Sequence, residues 1–450
     1  MSRLFGTDGV RGLANTELTP GFAMNLGKAA THVLSRDTAR PVILIGTDTR
    51  ISCDMLKSAL TAGVLAIGGN VIDVSIIPTP AVAYLVRYFH CTAGVVISAS
   101  HNPFEYNGIK FFNGEGYKLD DAIEDEIQDI LMKNLDVELN ATGDQLGKKL
   151  KAEKDAVSVY ERFLVDSAEG LDIGGRKIVL DCANGASYKI AGEVYRKLGA
   201  RVMTIGDQPN GININDGIGS THPEKLQCAV VDNGAFMGMA FDGDADRLIA
   251  VDERGRVMDG DKIMCICAGM MKDEGRLPDG RVTVTVMSNL GLHKYLDSIG
   301  CCTEVTAVGD RYVLESMLKT GSTLGGEQSG HMIFKDKTTT GDGILSSLQL
   351  LRAVLASGKK PSELADEVPI YPQVLVNAKV RNENKEAYKQ DEETQEKIRK
   401  IEDEMNGRGR VLIRPSGTEP LVRVMLEGEE EDRIAGMARD LAAFIGKKFG

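Results

Sequence analysis

Short apolar runs alternate with longer segments of helical spacing along most of the chain, and one order of elements occurs three times. Each occurrence is a strand, a helix and a second strand, which predicts three βαβ units in α/β sheets. The predicted spans are 42–45, 54–67 and 70–74, then 177–181, 187–198 and 201–205, and finally 282–286, 290–299 and 303–306. Open α/β sheets bind ligands beyond the carboxyl ends of their strands, so the loops 46–50, 182–185 and 287–289 are candidate ligand sites. None of these loops carries G-x-G-x-x-G, so a dinucleotide is not indicated.

The last part of the chain breaks this pattern. A proline-containing linker at 368–372 precedes a predicted strand at 374–380 and a strongly charged helix at about 384–406. Short predicted strands then flank 414–420, and apolar residues at helical spacing predict a final helix. We therefore expect three consecutive α/β domains followed by a smaller α+β domain. The predicted domains are 1–151, 152–258, 259–368 and 369–450.

Composition narrows the classes of function. The net charge of −12 argues against a general nucleic-acid binder or a protein that binds anionic membranes. An anionic substrate must then be held by local groups of Arg, Lys and backbone N–H. The eight cysteines form no C-x-x-C motif, which favours reduced thiols in the cytoplasm. No apolar run approaches the ~20 residues of a membrane span, and a motif-like stretch begins at Phe5, so we expect no signal peptide.

A polar turn with a candidate nucleophile follows the apolar strand within 94–110, GVVISASHNPFEYNGIK. Two hydroxyls, Ser98 and Ser100, precede His101, and Pro103 ends the turn. Loops at strand ends commonly carry function. The alternative is an ordinary surface turn in which the serines bond to nearby backbone groups.

A candidate metal loop lies between the predicted strands 237–241 and 248–251. Its carboxylates alternate along the loop, at Asp242, Asp244 and Asp246, and can converge as the all-oxygen ligands that magnesium prefers. A solvated acidic turn is the alternative, but three close carboxylates repel one another unless a cation lies between them.

Two other acidic motifs do not fit this loop. An EF-hand requires Gly at its sixth position and helical flanks, whereas the sixth residue here is Arg247 and the flanks are strands. A phosphatase of the aspartyl-nucleophile kind would carry D-x-D-x-T/V, but the fifth residue is Asp246.

Three further stretches offer groups suited to a sugar phosphate. The stretch 5–12, FGTDGVRG, brings Arg11 within a glycine-rich backbone. The loop 325–331, GGEQSGH, offers carboxylate and hydroxyl groups for sugar hydroxyls. The loop 414–420, RPSGTEP, combines an arginine with two hydroxyls and a glycine, as a phosphate cradle requires. Each alone is compatible with a plain loop or hairpin.

Taken together, these stretches resemble the α-D-phosphohexomutase superfamily, and the likeness extends from Phe5 to Phe444. The resemblance implies that Ser100 is phosphorylated and that, with Asp242, Asp244 and Asp246, it binds Mg²⁺. It favours Lys110 as the acid/base, a role in which lysine serves as a base only if its pKa is lowered. Further candidates for proton transfer and phosphate contact are His101 and Arg11. The expected substrate-binding residues are Arg247, Glu327, Gln328, Ser329, Arg414, Ser416, Gly417, Thr418 and Arg423. The stretch 308–312, VGDRY, also resembles a loop of this family.

The resemblance further implies a reaction. A sugar 6-phosphate held by the 414–418 loop would present its 1-hydroxyl to phospho-Ser100, become a bisphosphate, turn end for end and return the other phosphate. The motifs FGTDGVRG, ISASHNP and GEQSGH, with Gln328, resemble the branch acting on glucosamine phosphates. The expected reaction therefore interconverts glucosamine 6-phosphate and glucosamine 1-phosphate, activated by glucosamine 1,6-bisphosphate or glucose 1,6-bisphosphate. It would supply cytoplasmic amino-sugar nucleotide synthesis for the cell wall.

Several alternatives stay open at this point. The same chemistry could act on glucose or mannose phosphates. A phosphatase would use the same metal and phosphoserine but release phosphate to water, and a non-catalytic sensor would have no use for Ser100 and the three carboxylates. The expected partner is a small hexosamine phosphate, without nucleic acid or membrane, and the chain is expected to be a monomer or a homodimer.

Overall fold

The computed structural model describes residues 3–6, 8–36, 38–133, 140–416 and 419–450. Contacts divide the chain into two compact units. The first unit comprises Met1–Thr285 and Thr303–Asp366, and the second comprises Val286–Cys302 and Glu367–Gly450. None of the described helices combines the length and the apolar character that crossing a membrane requires.

Strands and helices alternate through most of the described chain. The strands are β1 (Val10–Leu13), β2 (Val42–Thr47), β3 (Asn70–Ile76), β4 (Ala93–Ile97), β5 (Tyr106–Asn113), β6 (Lys149–Leu150), β7 (Lys177–Asp181), β8 (Arg201–Ile205), β9 (Met237–Phe241), β10 (Leu248–Val251), β11 (Val257–Met258), β12 (Arg281–Thr285), β13 (Cys302–Thr306), β14 (Leu324–Gly326), β15 (Met332–Phe334), β16 (Gln373–Lys379), β17 (Gly409–Pro415) and β18 (Leu421–Gly428). The helices are α1 (Pro20–Leu34), α2 (Cys53–Ala66), α3 (Thr79–Tyr88), α4 (Asp121–Met132), α5 (Ala156–Ser167), α6 (Ile190–Lys197), α7 (Glu224–Asp232), α8 (Gly260–Asp273), α9 (Leu290–Ser298), α10 (Asp310–Thr320), α11 (Gly343–Ser357), α12 (Pro361–Glu367), α13 (Glu392–Met405) and α14 (Glu431–Phe449).

Three mixed sheets follow one another along the first part of the chain. Their strand orders are β1-β5-β4-β2-β3-β6, β11-β10-β9-β7-β8 and β13-β12-β14-β15. In the first, β2 pairs in parallel with both β3 and β4, and β4 is buried along its whole length. Such continuous burial is typical of a central strand covered on both faces. The hydrophobic core beside this sheet includes buried residues of β2, β4, α1 and α2.

The second unit contains the three-stranded antiparallel sheet β16-β18-β17. Its core includes Val424 and Leu426 of β18 together with Ile434, Leu441 and Ile445 of α14. Three α/β sheets followed by this smaller α+β element confirm the predicted fold class. The boundaries of the four domains stay a prediction.

Two helices begin later than their hydrophobic patterns predict. The first, α6, starts at Ile190 because residues before it form turns, in which the amide of Ile190 bonds to the carbonyl of Ser187. The second, α13, starts at Glu392 because Asp391 caps it, its carboxylate accepting the amide of Thr394. Short 3₁₀ turns precede that cap. Local hydrogen bonds therefore decided these boundaries.

Candidate active site

Several of the predicted site residues line a cleft of about 510 Å³ in the first unit. This volume lies within the usual range of small-molecule sites. The cleft is lined by Arg3, Leu4, Gly6, Asp8, Gly9, Arg11, His101, Asp246, Arg247, Val308, Gly309, Asp310, Glu327 and His331. These residues come from loops of all three sheets, including those that follow the carboxyl ends of β4, β9 and β14.

Ser100 lies three residues beyond the end of β4 and next to His101, which lines the cleft. Its hydroxyl donates to Asp242 Oδ2 at 2.6 Å and lies 3.3 Å from His101 Nδ1. Ser98 instead donates to Asp48 Oδ2 at 2.6 Å. Of the two serines, Ser100 is therefore the one whose hydroxyl bonds to the acidic loop.

The acidic loop connects β9 to β10, and its three carboxylates converge. One oxygen from each of Asp242, Asp244 and Asp246 can be chosen so that all lie within 4.8 Å of one another. Within the described chain, the Oδ1 atoms of Asp244 and Asp246 are buried without a hydrogen-bond partner. Burial, together with the neighbouring negative charges, raises the pKa of Asp242 and of Asp246. Close carboxylates with unpaired oxygens fit a divalent cation bound by oxygen ligands.

The acidic loop packs against the serine loop too closely for a side chain at Gly243. A Cβ atom there would lie 2.6 Å from the carbonyl oxygen of Ser100. The Gly243 carbonyl in turn accepts the amide of Ala186, just beyond the 182–185 loop. The chain at the end of that predicted ligand loop therefore bonds to the backbone of the acidic loop.

Lys110 is buried beside the carboxylates. Its ammonium lies 2.7 Å from Asp244 Oδ2 and 2.7 Å from Asp8 Oδ2. Burial alone would lower the pKa of Lys110, but the charges of Asp244 and Asp8 outweigh it and raise the pKa. In turn, Lys110 outweighs the effect of burial on Asp244 and lowers the pKa of that carboxyl to about 2. Lys110 is thus a cation in this arrangement and holds its proton more tightly than an ordinary lysine does.

Arg11 and His101 both line the cleft. A nitrogen of the Arg11 guanidinium donates to Asp8 Oδ2 at 2.5 Å. Burial, followed by the positive charges of Arg247 and Arg11, lowers the pKa of His101 to about 4. A neutral imidazole therefore lies beside the Ser100 hydroxyl at neutral pH.

The three residues predicted to contact the sugar have different environments in the structure. Glu327 lines the cleft, and its Oε1 accepts the amide of Gly309 at 3.0 Å. The amide group of Gln328 donates to Asp259 Oδ2 at 3.2 Å, at the start of α8. Ser329 is exposed. Among the residues that the structure describes, the cleft lining includes Glu327 but neither Gln328 nor Ser329.

The Glu327 loop is attached directly to the acidic hairpin. Arg247 and His331 form an antiparallel bridge, and the amide of Leu248 donates to the carbonyl of Gly330 at 3.0 Å. Arg247, predicted to bind substrate, therefore lies between the carboxylates and Glu327.

Several buried charges in the site escaped the sequence prediction. Lys118 donates to Asp8 Oδ1 at 2.6 Å and also bonds to Asp310. Arg50 and Asn215 bond to the backbone of the serine loop. Asp8 and Asp310 belong to the stretches FGTDGVRG and VGDRY. The sequence therefore indicated these two stretches, but it did not predict which cations the two aspartates would pair with. The only signal for Arg50 was its place in a loop after a predicted strand.

The C-terminal loop lies in the second unit, between β17 and β18. Arg414 and Arg423 are directly opposite each other in the two strands. Like charges in that position are unfavourable unless an anion joins them. Lys385, absent from the sequence prediction, donates to the carbonyl of Ser416 at 2.8 Å. Gly417 and Thr418 lie outside the described residues. The described part thus suits a phosphate group.

Family comparisons agree with the fold. Models of the phosphoglucomutase/phosphomannomutase family match in order along the chain: alpha/beta/alpha domain I at residues 2–138, alpha/beta/alpha domain II at 158–255, alpha/beta/alpha domain III at 259–371 and the C-terminal domain at 375–444. The chain therefore belongs to the phosphoglucomutase/phosphomannomutase family, within the phosphohexomutases.

The identity to individual relatives indicates the group within the family to which the chain belongs. The phosphoglucosamine mutase of Clostridium novyi is 56% identical over 448 residues, covering 100% of this chain and 99% of the relative. Within the family, the chain groups with the phosphoglucosamine mutases.

Solved structures share the fold at lower identity. A phosphoglucomutase/phosphomannomutase family protein from Burkholderia thailandensis has a TM-score of 0.81 at 22% identity, covering 100% of this chain and 99% of that one. The N-acetylphosphoglucosamine mutase of Aspergillus fumigatus, solved with GlcNAc-6P and magnesium, has a TM-score of 0.71 at 17% identity, covering 99% of this chain and 96% of that one.

Proposed function

We propose that the protein interconverts glucosamine 6-phosphate and glucosamine 1-phosphate by phosphoryl transfer through Ser100. The observation that carries this proposal is the 2.6 Å contact between the Ser100 hydroxyl and Asp242, beside two further convergent carboxylates. Full-length identity of 56% to a phosphoglucosamine mutase supports the choice of reaction and substrate.

Phospho-Ser100 transfers its phosphoryl group to the 1-hydroxyl of the sugar 6-phosphate. The phosphorus–oxygen bond to Ser100 breaks and a bond to the sugar oxygen forms, while the hydroxyl loses its proton and the Ser100 oxygen gains one. When bound at Asp242, Asp244 and Asp246, Mg²⁺ supplies positive charge against the phosphoryl oxygens. Lys110, a buried cation beside Asp244 and Asp8, is the proposed acid/base. Arg11 and Arg247 line the cleft as cations for phosphate contact.

The 1,6-bisphosphate then turns and returns its 6-phosphoryl group to Ser100, leaving the 1-phosphate as product. Glu327 is the proposed acceptor for the sugar, because it alone of the predicted trio lines the cleft in the described structure. Arg414, Arg423 and the loop between them are proposed to hold the phosphate that is not being transferred. Glucosamine or glucose 1,6-bisphosphate is the proposed activator that phosphorylates Ser100.

Ser100 can be tested directly. The protein is incubated with glucose 1,6-bisphosphate, and intact-mass and peptide analysis locate the added phosphate. We expect phosphate on Ser100 in the wild type and in the control Ser98→Ala. Ser100→Ala should lose both the phosphate and, on the order of 10³-fold or more, the turnover. A Ser100→Ala protein that keeps most of its turnover would exclude this mechanism.

The substrate is tested by comparing kcat/KM for the 6-phosphates of glucosamine, glucose and mannose, each primed with bisphosphate. Glucosamine 6-phosphate should be preferred. A preference for glucose or mannose phosphate would overturn the substrate assignment and leave the mutase chemistry standing. Release of free phosphate in place of isomerised sugar would instead identify a phosphatase.

We also propose a cytoplasmic location. Cys91, Cys182 and Cys267 are buried thiols outside any disulfide, and burial raises the pKa of each to about 12. Unreactive, reduced thiols of this kind suit a reducing compartment. A monomer or homodimer remains the prediction for the oligomeric state.

A further inference from the structure

The Ser100 loop is held by a residue from a different part of the first sheet. Arg50 follows β2, and its side chain is fully buried, with 0% exposed. Its guanidinium donates to four backbone carbonyls of that loop: Ser100 at 2.9 Å, Asn102 at 2.8 Å, Pro103 at 2.5 Å and Tyr106 at 3.1 Å. A buried carbonyl such as that of Ser100 would cost free energy without a donor, and the same side chain also bonds to three part-buried carbonyls of the loop.

Asp48 orients the guanidinium. Its Oδ2 accepts Arg50 Nε at 2.8 Å, and its Oδ1 accepts the backbone amide of Arg50 at 2.9 Å. Asp48 Oδ2 also accepts the Ser98 hydroxyl. The ion pair is fully buried on both sides, which requires that its remaining donors be hydrogen-bonded. The carbonyls of the serine loop provide those acceptors.

The backbone at Ser100 needs such support. Its φ of 52° lies in the left-handed region, which is unfavourable for a residue with a side chain. Asn215 reinforces the same turn from the second sheet, because its Nδ2 donates to the carbonyls of Ser100 at 2.9 Å and Asn102 at 3.1 Å. With the backbone held in this way, the Ser100 hydroxyl is directed to Asp242.

We infer that Arg50 is a positioning residue for phosphoryl transfer, which holds the turn at Ser100 so that its oxygen faces the acidic loop. This inference rests on the proposed function. Arginine is required because its planar guanidinium carries five donors in fixed directions, whereas lysine offers one compact ammonium group. Arg50 is absent from the lining of the cleft, so its effect should fall on turnover and on phosphorylation of Ser100, and not on substrate binding.

The test compares Arg50→Lys with Arg276→Lys, a control arginine that bonds to Glu274 and Asp336 away from the loop. In Arg50→Lys, kcat and the rate at which glucose 1,6-bisphosphate phosphorylates Ser100 should fall by about 10- to 100-fold. KM should stay within about threefold of wild type, as expected when only transition-state geometry is lost. Arg276→Lys should leave all three values near those of wild type.

Chemical rescue separates positioning from general stability. In Arg50→Ala, added guanidinium should restore part of the phosphorylation rate, while the same concentration of ammonium should not. If Arg50→Lys folds poorly, Asn215→Ala provides the second measurement, with a smaller fall in the phosphorylation rate and an unchanged KM. The inference is overturned if Arg50→Lys keeps the wild-type rate, or if guanidinium and ammonium act alike. A wild-type protein that is phosphorylated on Ser100 but isomerises no sugar would refute the proposed function and leave this test intact.

Discussion

The two loops proposed to handle phosphate are built in opposite ways. The loop at Ser100 is buried over residues 98–100, and the Ser100 carbonyl accepts hydrogen bonds from both Arg50 and Asn215. The loop after Arg414 belongs to a hairpin in which Arg414 and Arg423 face each other with partly exposed side chains. In the second loop, burial together with the charge of Arg423 lowers the pKa of Arg414.

This difference follows from what each phosphate is proposed to do. Phosphoryl transfer requires reacting atoms at fixed positions in a site of low dielectric constant, so its loop is held by many buried hydrogen bonds. A phosphate that only has to be held, and must be released mid-cycle, requires cations that water can reach. Two facing arginines attract an anion more strongly than arginines whose charges were already neutralised by carboxylates.

After the loss expected for Ser100→Ala, the next largest effect is expected at the acidic loop that Ser100 faces. Asp244→Asn keeps the shape of the side chain but removes one negative charge, so magnesium binding should weaken. At fixed magnesium, kcat should fall on the order of 10²- to 10³-fold. Calorimetric titration with magnesium should show the weakened binding independently of activity.

Asp252→Asn is the matched control, because Asp252 is a buried carboxylate paired with Arg256 outside the cleft. It should keep magnesium affinity. Full wild-type activity in excess chelator would contradict a metal role for the acidic loop.

An intermediate effect is expected at the C-terminal loop. Arg414→Ala removes charge-assisted hydrogen bonds to the phosphate, so KM for the sugar 6-phosphate should rise roughly 10- to 100-fold. The fall in kcat should be smaller, since this phosphate is not reacting when it is held, although each sugar is rebound after turning.

Arg433→Ala, on α14 of the same unit, is the control and should change neither value. If Arg414→Ala lowered kcat and left KM unchanged, the loop would take part in the chemical step, and the division between transferring and holding loops would fail.

The smallest expected effect is on stability against pH, at two helix-capping aspartates. Asp342 caps α11 and accepts the Tyr160 hydroxyl, and burial raises its pKa to about 6. The folded state therefore binds this proton more tightly than the unfolded state, so the stabilisation is complete below about pH 4 and is lost as the pH rises through 6. In Asp342→Asn, the free energy of unfolding should depend less steeply on pH between pH 4 and 6. The change in slope should be at most about 1.4 kcal/mol per pH unit.

Asp391, the cap of α13, should behave in the opposite sense. Its hydrogen bonds from Lys448 and Thr394 lower its pKa to about 2, so its contribution is present above pH 4 and is lost only in stronger acid. Urea unfolding of both Asn variants from pH 2 to 7 measures the two windows. Equal pH dependence in the two variants would contradict the assignment of burial as the cause of the difference.

Local sequence was sufficient for the elements and the motifs. The three βαβ patterns predicted parallel neighbours that the structure contains, such as β2 with β3 and β7 with β8. The loops that begin at Ser98, Asp242 and Glu327 each follow a strand, as the apolar runs before them indicate. Such features depend on residues close together in the chain, which is why periodicity and turn residues reveal them.

Tertiary structure alone decided which charges meet. Lys110 and Asp244 are 134 residues apart in the chain, yet their charged groups lie 2.7 Å apart. The sequence left open whether the pKa of Lys110 is lowered, because burial and carboxylates act in opposite directions, and only their positions determine that the carboxylates prevail. The same holds for Arg50, whose loop was visible in the sequence but whose carbonyl partners begin 50 residues further on. Backbone acceptors carry no residue-specific signal, so only the folded chain could identify them.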